Sequence, residues 1–76
     1  MKTYVSTIQF NPFHSKAHVE IVDAETLHPV DSFELSLLNQ YTIITVLKEW
    51  AEKQPVRPLR IVNFAYHATC TLVQLN

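Results

Sequence analysis

Four side chains in this chain have the donor chemistry for a zinc-like cation. His14 and His18 have three residues between them, and His67 and Cys70 have two. Zinc accepts imidazole nitrogen and thiolate at such spacings. A four-residue step, however, puts two side chains side by side only within a helix. Residues 14 to 18 read as a turn running into a strand, so scattered surface histidines are expected and no metal or cofactor. Cys70 with His67 has the residue types of a nucleophile and its base. A single cysteine in the β-branched run Thr69-Cys70-Thr71-Leu72-Val73 is expected instead to be a small buried hydrophobe. Glu20 and Glu34 could face each other across neighbouring strands, but nothing sets the separation that paired-carboxylate chemistry needs. No motif places a Ser-His-Asp set.

Glycine is absent altogether. Phosphate-cradling loops, dinucleotide fingerprints and nucleophile elbows need glycine where backbone approaches a ligand or turns sharply. None can be built here. Catalysis is therefore not expected.

Binding is the remaining class. Net charge is −1, so no global field points to nucleic acid or membrane. The signs are segregated all the same. Five of the seven acids are Glu20, Asp23, Glu25, Asp31 and Glu34, and four of the six bases are Lys48, Lys53, Arg57 and Arg60. Lys53, Arg57 and Arg60 form a candidate basic patch. It is a thin footprint for phosphate, and it equally suits the negative end of a helix dipole. The acidic stretch is too far offset by bases to imitate a nucleic acid. Aromatic residues outside a core are common anchors for protein partners. Phe13 beside Pro12 in a turn, and Phe64 and Tyr66 after a strand, are the candidates for a protein interface.

With 76 residues, one domain spanning 1–76 is the sensible count. A chain of this size buries only about 60% of its unfolded surface, so a homodimer or a larger protein partner is an expected supplement. One cysteine allows no intramolecular disulfide. No apolar signal core or membrane-length apolar run is visible. A soluble, cytoplasmic protein is the default expectation.

The elements follow from periodicity. Thr3 to Phe10 alternates, with Tyr4, Ile8 and Phe10 on one face, and reads as a strand. Asn11-Pro12-Phe13-His14-Ser15 is turn chemistry. Ala17 to Asp23 alternates again with Ala17, Val19 and Ile21 inward. After the turn Ala24 to Pro29, Val30 to Leu35 makes a third strand. The three are expected to form a small antiparallel meander. Ser36 or Asn39 can cap a helix. Ile43, Ile44, Leu47, Trp50 and Ala51 then follow helical spacing, and Pro55 ends it. Leu59 to Phe64 suits a buried strand. Thr69 to Leu75 reads as a fifth strand, with a short closing helix as the alternative. The fold class is α+β, βββαβ(β), one helix packed on the sheet.

The stretch from Asn39 to Tyr66 resembles the first half of a ribonuclease H-type domain. Asn39-Gln40-Tyr41-Thr42-Ile43-Ile44 is similar to the start of that family's first helix, and Glu49-Trp50-Ala51-Glu52-Lys53 to its end. Leu59-Arg60-Ile61-Val62-Asn63-Phe64-Ala65-Tyr66 is similar to its fourth strand and active-site turn. The resemblance implies a carboxylate site for two divalent cations, with acids at Phe10 or Asn11, at Thr42 and at Phe64. All these positions are non-acidic, and the family's glycine-rich first turn is missing. The resemblance therefore implies a fold without the nuclease chemistry. Partial folds of this type also occur in HicB-type antitoxins, which bind a toxin and sometimes DNA. The expectation is a non-catalytic interaction protein, a regulator or inhibitor of a larger protein. Small accessory proteins of phages and mobile elements share this profile by analogy. The alternative is an antitoxin-like or nucleic-acid-associated module.

Overall fold

A computed structural model describes residues 1–11, 13, 16–36, 40–65 and 68–76, with the side chains of 40, 41, 64, 65, 68 and 69 outside that description. The elements run β1 (Lys2–Asn11), β2 (Lys16–Asp23), β3 (Pro29–Ser36), α1 (Gln40–Glu52), β4 (Leu59–Ala65) and β5 (Ala68–Leu75). The class is α+β, and the described residues form a mixed five-stranded sheet and one helix. The segment for which strand and helix were both open is a strand.

The sheet order is β3-β2-β1-β4-β5. It is not a simple meander. β1 pairs antiparallel with β2 and parallel with β4, which makes it the central strand. β2 pairs with β3 and β4 with β5, both antiparallel. Antiparallel neighbours can be joined by tight turns. A parallel pair needs a crossover connection, and α1 lies in that connection here.

Strand alternation sorts the side chains onto two faces. Tyr4 and Ser6 from β1, Ala17, Val19 and Ile21 from β2, Leu59 and Ile61 from β4, and Val73 from β5 are all buried. Their register puts Tyr4 beside Ile61, Ile8 beside Val19, and Ser6 between Ile21 and Asn63. α1 contributes Ile43, Leu47 and Ala51 to the same core cluster. These three repeat at a four-residue step, the spacing that aligns them along one helix face. The stripe is narrower than the sequence implies. Ile44 is 37% exposed on one flank, and Trp50 is half-buried on the other.

Trp50 fastens α1 to the sheet at two points. Its ring meets Tyr4 edge to face, with centroids 5.1 Å apart. Its Nε1 donates to Asp31 Oδ2 of β3 at 2.9 Å. Arg57 closes the same, C-terminal end of the helix. Its guanidinium donates to the carbonyls of Ala51, Glu52, Gln54 and Val56 at 2.9–3.2 Å. Ala51 and Glu52 are in the last turn, where a helix leaves carbonyls without intrahelical partners, and a cation there also suits the dipole; Gln54 and Val56 are in the loop that follows. The Arg57–Pro58 peptide is cis.

The turn between β2 and β3 is organised by Asp23. Its Oδ1 accepts the backbone N–H of Glu25 at 2.8 Å and of Thr26 at 3.3 Å. Leu27 N–H closes onto Asp23 O at 2.8 Å. Leu27 reaches this bond with φ of 62°, a left-handed conformation that a side chain disfavours by about 1–2 kcal/mol. The glycine that usually serves such a position is missing from the whole chain.

Leu47 is fully buried at the centre of the helix stripe. Leu47→Ala should destabilise the protein by about 2–5 kcal/mol, the usual cost of such a cavity. Small cores supply only about 3–5 kcal/mol in all. Urea denaturation followed by circular dichroism should show most of the folded baseline lost.

Candidate protein-interaction surface

The face of the sheet opposite α1 carries a different set of side chains. Val5, Val22 and Val62 lie in one row across β2, β1 and β4. They are half-buried. A second row, nearer the β1–β2 hairpin, is polar: Gln9 opposes His18, and His18 opposes Glu34. Direct cross-strand neighbours have Cβ atoms about 4.5–5.5 Å apart. Glu34 therefore sits opposite His18, and Glu20 opposite Ser32. The two carboxylates considered from sequence are diagonal rather than facing.

The hairpin end of this face holds an open hollow of about 640 Å³. Gln9, His18 and Glu34 line it together with Asn11, Lys16, Phe10 and Phe13. Asn11 is both the last residue of β1 and the organiser of the turn, because its Oδ1 accepts the Phe13 N–H at 3.0 Å. Asparagine side chains commonly bond the backbone two residues on in this way. The bond helps set a tip from which Phe13 projects with 92% of its surface exposed. Phe10, read from sequence as an inward residue of β1, is 54% exposed. Among the described residues, the helix side chain in the core cluster nearest this end is Ile43, which leaves Phe10 uncovered. Phe13 borders the hollow from the hairpin, while Phe10 touches it from β1 with its parity on the α1 side of the sheet.

The other sequence candidates do not gather here. The Phe64 side chain, Tyr66, His14 and His67 lie outside the described residues, as does the cap candidate Asn39. Cys70 is exposed rather than buried. Its strand is at the edge of the sheet, flanked by β4 on one side. Among the described residues, no group of three or more His, Cys, Asp or Glu could hold a metal ion.

The three bases are divided by the fold. Arg57 is engaged with helix carbonyls. Arg60 points to the open face, where its Nε donates to Thr3 Oγ1 at 3.0 Å. Lys53 borders a shallow hollow on the helix side with Asp31, Glu49 and Trp50. Sequence reasoning missed Gln9, His18 and Glu34 as a row. They are far apart in the chain, and only strand register brings them together.

At the far end of the sheet from Phe13, Lys2 and Asp23 form an ion pair. The Lys2 ammonium also lies 5.6 Å from the Tyr4 ring centroid. The hydrogen bond from Lys2, then that from the Glu25 N–H, holds the Asp23 carboxyl below its ordinary value. The same bond to Asp23 holds Lys2 above its ordinary value, against the effect of desolvation.

No family model matches this chain, and neither do curated proteins or solved structures. Among the described residues, no helix is long and apolar enough to cross a membrane.

The Lys2–Asp23 pair has a defined pH signature. Asp23 titrates lower in the folded state, so its contribution is full above the ordinary carboxylate pKa. That contribution is lost as pH falls through the depressed value. Lys2 behaves in mirror image, losing its contribution as pH rises through its raised value. Asp23→Asn keeps a turn acceptor and removes the charge. It should lower the urea midpoint modestly at neutral pH, since the pair is solvent-accessible. The gap to the native chain should close in acid, and a gap that persists there would contradict the assignment.

Proposed function

We propose that this protein is a non-catalytic interaction protein, a small regulator or inhibitor that docks onto a larger protein with the hairpin end of its open sheet face. The carrying observation is Phe13, 92% exposed beside a half-exposed Phe10. Large rings exposed to water contribute little to the core. They gain when a partner covers them, by about 25 cal/mol per Å² of apolar surface buried. The floor of Gln9, His18 and Glu34 supplies donors and acceptors that give such a contact direction. The absence of glycine-dependent phosphate loops supports the non-catalytic half of the reading.

The second reading is an antitoxin-like or nucleic-acid-associated module built on a degenerate ribonuclease H-like half-fold. It rests on the Asn39–Tyr66 resemblance. The dispersal of Lys53, Arg57 and Arg60 favours the first reading, because a phosphate backbone is bound by bases that act on one surface.

Two measurements separate these readings. A photo-crosslinker at position 13, introduced in cells, should yield one specific adduct with a protein. Phe13→Ala should weaken recovery of that protein roughly tenfold or more, as loss of an anchor does, with no change in thermal midpoint. An unfolded Phe13→Ala variant, or one that binds as before, would remove the proposal. Labelled DNA or RNA at low salt should show no shift with the pure protein. A shift that weakens steeply with salt would transfer support to the second reading.

A further inference from the structure

The two edges of the sheet are built differently. Each edge strand pairs through one register irregularity, at Ile21/Val22 for β3 and at Ile61/Val62 for β5, but only β3 carries proline and charge: Pro29, Asp31 and Glu34. Proline, charge and bulges are the usual devices that stop an exposed edge from pairing with another chain. β5 has the sequence Ala-Thr-Cys-Thr-Leu-Val-Gln-Leu. Its eight residues include no charge and no proline, and several are β-branched. β4 is its one neighbour in the sheet. Its outward backbone N–H and C=O groups form a template for a further strand.

The ground above β5 is apolar as well. An open hollow of about 480 Å³ lies there, lined by Ile43 and Ile44 of α1 and by Cys70, Thr71 and Leu72 of β5. Ile44 is the flank of the helix stripe that the core leaves exposed.

We infer that β5 pairs antiparallel with β5 of a second copy of this chain, which continues the sheet across a twofold axis. The occupant follows from charge and from geometry. An uncharged strand meets its own copy without repulsion, whereas β3 against β3 would bring Asp31 and Glu34 of both copies together. A twofold axis perpendicular to the sheet keeps both α1 helices on one side. The two Ile44 side chains and the two hollows then face each other across the axis and close against water. Such an isologous contact terminates at two copies. The contact uses strands other than the Phe13 tip, so loss of one surface leaves the other testable.

Native mass measurement tests this directly. The wild-type chain should give twice its 8.8 kDa mass. Thr71 is exposed on β5, so its replacement should spare the core. Thr71→Lys and Thr71→Glu should each weaken the dimer about tenfold or more, because either sign meets its own kind across the axis. Ser32→Lys on β3 should leave the mass unchanged. Single-chain mass at every concentration, or folded Thr71 variants that remain fully dimeric, would overturn the inference. Should the Thr71 variants fail to fold, a nitroxide on Cys70 of otherwise wild-type protein decides. Strand spacing of ~4.8 Å and rise of ~3.3 Å per residue put the two Cys70 backbones within about 25 Å in registers that pair most of β5. Absence of dipolar coupling at that range would equally overturn it.

Discussion

The parallel contact between β1 and β4 is the constraint from which the remaining structure follows. It places β1 in the middle of the sheet, with Tyr4 beside Ile61 and Ser6 beside Asn63. A parallel neighbour cannot be reached by a tight turn. The chain must leave the sheet after β3 and return on the other side of β1, and α1 occupies that passage. Once α1 is there, its Ile43, Leu47 and Ala51 have one face to cover. Tyr4, Val19, Ile21, Leu59 and Ile61 are that face. The opposite face is left with a thin valine row and polar neighbours. The separation of a folding face from an open face thus derives from one strand pairing.

One buried polar group stands inside the folding face. Ser6 is fully buried, and its Oγ has no hydrogen-bond partner among the described residues. An unpaired buried hydroxyl opposes folding by about 1–3 kcal/mol. It sits next to Asn63 in the β1–β4 register, at the margin of the hollow lined in part by Ile8 and Asn63. The core is accordingly best packed toward the Trp50 end of α1. There Tyr4, Trp50 and Asp31 join helix, central strand and edge strand by ring contact and hydrogen bond. A domain with so little core depends on ties of this kind more than a larger one would.

Much of the local structure was legible along the chain. Alternation marked β1, β2 and β3 to within two residues of their observed ends, and helical spacing marked α1. Turn chemistry at Asn11 pointed to the exposed Phe13. Where alternation misled, the cause was tertiary. Phe10 has the parity of an inward residue but is left uncovered by α1. Cys70, expected to be buried from its β-branched neighbours, is exposed on the edge strand. The basic patch looked continuous because Lys53, Arg57 and Arg60 are close in sequence. Arg57 bonds helix carbonyls and Arg60 bonds Thr3 on the open face, so proximity in sequence did not become a shared surface.

Periodicity and composition by themselves determined the α+β class, the first four strands and the helix, and that the sequence contains no glycine; the last segment stayed open between strand and helix. These are local properties, since a side chain's direction in a strand or helix depends on its own backbone. Tertiary structure alone decided which strands are neighbours, which face α1 covers, and that Gln9, His18 and Glu34 share a row on the open face. Strand order and register arise from contacts between residues distant in the chain. The free energy that selects them is the burial of a whole face, and no single segment of the sequence carries it.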